Sequence, residues 1–158
     1  MMPEIEPLIA RLGALNEEWW CPGSVDEADV DALELGLGVR LPNDYRRFLQ
    51  SYGGGGITAI FELCMVERGN PLDPREGHVY GQTMHDRREL CIPPTAVVLW
   101  SDDEVAHYID LSRGSDPPVT VFLIQPGLCR DWEPNFLLYL QAYLQRHITE
   151  CEKHSHES

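Results

Sequence analysis

The side chains able to do chemistry in this chain are its abundant carboxylates, six histidines and five cysteines, and their spacing limits what they can do. His154 and His156 are close enough in sequence to share a metal, but they fall in the polar segment 151–158, where little would hold a chain end in place. Asp102, Asp103 and Glu104 are adjacent acids without the alternating spacing and glycine of a calcium loop, so a solvated hairpin turn is predicted there. His78, His85, His107 and His147 show neither HxH nor HExxH spacing. His107 alternates with Val105 and Ile109 on one strand face, which predicts a packed histidine. The cysteines Cys21, Cys64, Cys91, Cys129 and Cys151 contain no CxxC pair, so neither a zinc knuckle nor a thioredoxin-like site is indicated. Each is expected to be a reduced thiol acting as a small buried hydrophobe. No metal site and no cofactor are expected.

Nucleophilic catalysis has no better footing. No serine or cysteine sits in a GxSxG elbow. The glycine run 53–56 follows a helical pattern instead of a strand and lacks GK[ST], so it is expected to stop a helix and form a flexible turn, not to cradle phosphate. No catalytic residue is assigned, which points towards a binding protein.

The charge is the outstanding property. With 12 basic and 26 acidic side chains among 158 residues, the formal net charge is −14. Such a surface excludes a nucleic-acid backbone or an anionic membrane as partner and favours a cationic one. The acidity is general, yet it thickens in two places. Residues 16–35 hold Glu17, Glu18, Asp26, Glu27, Asp29, Asp31 and Glu34 with no base, and the 101–104 turn is followed on the next strand by Asp110. A charge run is ordinarily a solvated face, but one sign sustained over such a stretch makes an electrostatic docking surface for a basic protein. Glu17, Glu18, Asp26, Glu27, Asp29, Asp31, Asp102, Asp103, Glu104 and Asp110 are therefore the candidate contact residues. Trp19, Trp20, Trp100 and Trp132 are available as recognition anchors. For Trp100, at a strand end, packing is the expected role, whereas Trp19 and Trp20 fit either role.

The elements that must position these groups are legible from periodicity. A chain of this length is expected to fold as a single domain, here residues 1–150, with 151–158 a flexible polar tail. An amphipathic helix is predicted over 4–15 and an irregular segment over 16–23. A second helix is expected to start at Ser24, capped reciprocally with Glu27, and to bury Val30, Leu33 and Leu37. A third opens at Pro42 and places Tyr45, Phe48, Leu49 and Tyr52 on one face. Residues 57–66 read as strand, and a short helix is expected near 83–89. Strands at 96–100, 105–111 and 119–124, joined by short polar connections, make an antiparallel meander. A final helix over about 133–149 completes an α+β fold with N-terminal helices, a central antiparallel sheet and a C-terminal helix. No apolar run exceeds five residues, far short of the ~20 of a membrane span. The start MMPEIEP lacks the basic and apolar regions of a signal peptide, so a cytoplasmic location is expected.

Residues 34–54 read ELGLGVRLPNDYRRFLQSYGG. This resembles the hallmark of the SUKH superfamily, which includes the fungal cell-wall assembly regulator and many bacterial immunity proteins. The positions carrying the resemblance are Glu34, Gly38, Leu41, Pro42, Asp44, Tyr45, Phe48, Leu49, Gly53 and Gly54. Tyr52 stands where the family often has Asn, and the glycines extend to four. VVLWSDDEVAHYIDLS is similar to the family's strand–turn–strand ending in an aromatic and Asp, here Tyr108 and Asp110, although the usual turn glycine is missing. PPVTVFLI followed by WEPNFLLYLQAYL fits the family's ending. Most matched positions are explicable as fold determinants. The resemblance implies a domain without catalysis, typically an immunity protein that neutralises a toxin by binding it. Many such toxins are nucleases with basic substrate surfaces, to which a −14 partner is the physical complement. The other role implied is a regulatory or scaffolding module for an endogenous protein.

Overall fold

The computed structural model describes residues 1–157. Helix α1 (Glu6–Ala14) leads into a two-residue strand β1 (Trp19–Trp20), then α2 (Glu27–Leu37) and α3 (Asn43–Tyr52). A tight hairpin follows, β2 (Gly55–Ile57) and β3 (Phe61–Leu63), and then α4 (Val79–Glu89). Strands β4 (Ala96–Ser101), β5 (Val105–Asp110), β6 (Val119–Leu123) and β7 (Leu128–Glu133) precede the long helix α5 (Phe136–Glu157). β1, β2 and β3 form one antiparallel sheet, and β4 to β7 form a second in sequence order. The expected α+β architecture, with helices first, a meander and a C-terminal helix, is the one observed.

Pleating divides β4 between two apolar layers. Val97 and Leu99 join Ile109 and Val119 in the principal core with α1, α2, α3 and α5, whereas Ala96 and Val98 face Ile92, Tyr108 and Phe122 on the other side. Helix α4 packs on β4, where Thr83 Oγ1 accepts the Val98 amide at 3.0 Å beside the irregularity between Val98 and Trp100. The motif helix α3 seats α5: Tyr45 and Phe48 lie 4.8 and 5.4 Å, centroid to centroid, from Phe136.

Several local expectations differ. Ser24 and Glu27 form no capping box; α2 starts two residues later behind Asp26, without a side-chain cap, because Val25 is drawn into the core. Residues 19–20 are strand, not irregular: they pair with Ile57 and Gly56, and Trp19 sits edge-on to Tyr52 at 5.8 Å. The glycine run 53–56 is buried, not a flexible turn. Gly53 closes α3 at φ 74°, and a Cβ on Gly55 would lie 2.2 Å from the Trp20 carbonyl oxygen. These glycines let three backbone segments meet without side chains between them. Strand β7 was not expected, since its exposed side chains carry no apolar alternation. Helix α5 begins after Asn135, whose Oδ1 accepts the Leu138 amide at 2.9 Å, and it runs through 151–157, where a flexible polar tail was expected. Nothing in HITECEKHSHE breaks a helix, because it lacks glycine and proline.

Candidate functional site

The ten acids expected to make one contact surface are distributed over separate parts of the molecule. Five of them, with Glu34, are engaged within the fold. Glu17 receives His147 Nε2 at 2.9 Å, and that hydrogen bond holds its carboxyl below the usual range. Asp26 meets Arg68 at 3.3 Å, and Asp29 accepts the Gly69 amide at 3.1 Å. Asp31 pairs with Arg46 at 2.8 Å, and Arg46 also pairs with Glu34. Glu34 in turn accepts the Leu41 amide at 2.6 Å, so this motif carboxylate ties the end of α2 to the start of α3. Asp110 accepts Thr95 Oγ1 at 2.6 Å and the Ser112 amide at 3.0 Å. Burial pushes the Asp110 carboxyl up, but those hydrogen bonds outweigh it and hold it below its ordinary value. The bases absent from 16–35 in sequence are thus supplied by distant segments.

The β4–β5 turn is different. Asp102 Oδ1 accepts the amides of Glu104 and Val105 at 2.8 and 2.9 Å, an arrangement that fixes the turn through its own side chain. Asp102, Asp103 and Glu104 are all exposed. Among the described residues none of the three has a cationic partner. Glu18 and Glu27 likewise form no ion pair among the described residues.

The motif loop also borders a groove. Residues Gly38, Val39, Arg40, Leu41, Asn43 and Asp44 face Thr95 and the segment 111–116 across an open space of about 750 Å³. The family-like residues are otherwise structural: Gly38 ends α2 at φ 72°, Pro42 precedes α3, and Leu41, Tyr45, Phe48 and Leu49 are buried. Asp44 pairs with Arg47 at 3.1 Å. Of the tryptophans, Trp100 is half-buried and donates to Tyr139, while Trp20 and Trp132 are exposed.

Three groupings of reactive side chains escaped the sequence reading because their members come from separate elements. Ser101 Oγ donates to Asp86 Oδ2 at 2.7 Å, and His85 Nδ1 lies 2.9 Å from Asp86 Oδ1. The carboxylate stands between serine and histidine, so the imidazole does not face the hydroxyl as a base must. Asp73 lies beside His78 and Glu67 with metal-ligand spacing, but both Asp73 oxygens already receive the Arg75 guanidinium, the nearer nitrogen at 2.7 Å, which holds the carboxyl well below its usual range and places a fixed cation where a metal would sit. A third group, Glu17, His147 and Cys151, carries no such cation. The cysteines do not conform to one type: Cys64 is buried, Cys21 and Cys151 are half-buried, and Cys91 and Cys129 are exposed. Burial pushes the Cys64 thiol up to about 12.

Among the described residues no helix is long and apolar enough to cross a membrane. Comparison with curated proteins finds no match. The motif that ties α2 to α3 and seats α5 lies within residues 24–142, which match the model of the SMI1 / KNR4 family (SUKH-1), and the chain belongs to that family.

Proposed function

We propose that this chain is a non-catalytic, cytoplasmic binding protein of the immunity type, which neutralises a basic toxin domain, such as a nuclease, by direct contact. The observation that carries this reading is the tip of the β4–β5 hairpin. Asp103 and Glu104 stand exposed with no cationic partner among the described residues, on a turn that Asp102 holds from within. Acids 17–34 are partly neutralised by Arg46 and Arg68, and Glu17 is hydrogen-bonded to His147, so they contribute less to a docking field than their density in sequence suggests. A fixed, one-signed tip on a chain of net charge −14 accelerates encounter with a basic surface and fixes its orientation.

The test has two parts. The partner is captured from the native cell by the tagged full-length chain, identified, and expressed alone. A partner that is toxic by itself and silenced by an equimolar amount of this protein supports the reading. An endogenous, non-toxic partner replaces it with the regulatory role. With the partner in hand, Asp103→Lys with Glu104→Lys is expected to weaken binding and flatten its salt dependence, and an unchanged salt dependence moves the contact away from the hairpin.

A further inference from the structure

Helix α5 carries His147 and Cys151 one turn apart, which places both side chains on the same face. Opposite them the chain leaves α1 through Asn16 in the left-handed conformation (φ 61°), while the Glu17 amide bonds back to the Leu12 carbonyl at 3.0 Å. This turn directs the Glu17 carboxylate at α5. Its Oε2 lies 2.9 Å from His147 Nε2, and Cys151 Sγ lies 3.4 Å from the same nitrogen. The three ligand atoms all fall within 4.8 Å of one another.

From this convergence we infer that Glu17, His147 and Cys151 form a binding site for a zinc-class divalent cation, with a fourth coordination position left to water. Ligand-to-ligand separations in a tetrahedral zinc site of this composition are about 3.3–3.6 Å, from bond lengths of about 2.0–2.3 Å, so the two contacts at His147 Nε2 need only small adjustments. One carboxylate, one imidazole and one thiol are the donors that borderline-soft ions select, and magnesium and calcium avoid such a set. The site is half-buried, open enough for entry and closed enough to desolvate the ion. Neighbouring cations are committed elsewhere: Arg11 pairs with Glu152 at 2.9 Å, and Arg146 lies over the Tyr143 ring at 5.4 Å. Binding exchanges the thiol proton for the metal, releases that proton to solvent, and clamps the C-terminal half of α5 to the segment after α1. No electron transfer is involved.

The experiment titrates the reduced full-length protein with Co²⁺ alone and follows absorption, with Zn²⁺ as competitor. The expected result is one equivalent of Co²⁺ bound, with a thiolate-to-cobalt charge-transfer band and tetrahedral d–d bands, all displaced by Zn²⁺. Cys151→Ser should abolish the charge-transfer band, and His147→Gln or Glu17→Gln should weaken binding by at least about tenfold. Cys129→Ser, which removes an exposed thiol elsewhere, should leave the spectrum unchanged. Zn²⁺ should also raise the thermal midpoint of the wild-type chain and not that of Cys151→Ser, with circular dichroism showing that the variant is folded. Absence of the band from the wild-type chain, or its persistence in Cys151→Ser, overturns the assignment.

Discussion

His107 Nδ1 lies 2.8 Å from the Tyr139 hydroxyl, in the core between the meander and α5. Trp100 Nε1 donates to the same oxygen at 3.0 Å. With that N–H as donor, the Tyr139 hydrogen is free to point at His107 Nδ1, which must then be an unprotonated acceptor. Burial enforces the same state, since it lowers the His107 pKa to about 4. The histidine expected from the strand alternation to be packed is packed, and it is held neutral.

Stability should therefore depend on this residue between pH 6.5 and 4. The unfolded chain protonates His107 near its ordinary value of about 6.5, whereas the folded chain does so only near 4. Over that window the unfolded state binds the extra proton, so acidification destabilises the fold, by an amount on the order of 3 kcal/mol once pH falls below both values. Above pH 6.5 the contribution is fully present. Urea midpoints at pH 7 and 4.5 should fall less in His107→Gln than in the wild-type chain, and equal falls would contradict the assignment.

Tyr139→Phe removes the atom that Trp100 and His107 share. It leaves a buried imidazole nitrogen and an indole N–H without that partner, at an expected cost of about 1–3 kcal/mol in equilibrium unfolding. Tryptophan fluorescence should shift as well, because Trp100 loses its hydrogen bond.

Glu34 is the motif carboxylate whose structural work is visible. It accepts the Leu41 amide at 2.6 Å and pairs with Arg46, with both side chains largely shielded. Glu34→Ala should cost about 1–3 kcal/mol by urea unfolding and loosen the α2–α3 connection, giving faster amide exchange at Leu41. Protection at Leu41 as slow as in the wild-type chain would show that another group satisfies it.

Gly55→Ala tests the glycine run. Its Cβ would fall 2.2 Å from the Trp20 carbonyl oxygen and 2.8 Å from Cys21 Cα, and both are backbone atoms that cannot swing aside. A loss of about 2–4 kcal/mol is expected in thermal or urea unfolding. By contrast Gly127→Ala, at a glycine with open space around it, should cost only what its positive φ imposes.

The three acids of the β4–β5 turn should separate in stability measurements. Asp102→Ala loses two turn-fixing hydrogen bonds and should cost about 1 kcal/mol. Asp103→Lys and Glu104→Lys touch nothing structural and should stay within about 0.5 kcal/mol of wild type. This separation makes the lysine pair the clean probe of partner binding.

The sequence by itself determined the α+β class, the buried faces of α2 and α3, three of the four meander strands and the helix that closes the fold. Those features are written in local periodicity and in residues such as Pro42 and Gly53, whose backbone preferences act within a turn or two. It also contained the one-turn spacing of His147 and Cys151, a signal that a search for HxH and HExxH passes over. Only the tertiary structure decided the rest. Glu17 reaches His147 across 130 positions, and Arg46 and Arg68 come from distant segments to neutralise acids that look unopposed along the chain. Strand β7 exists because β6 offers it hydrogen bonds, not because its own side chains alternate. Charge and ligand geometry are sums over neighbours in space, and a linear pattern reports only the neighbours that a helix or strand supplies.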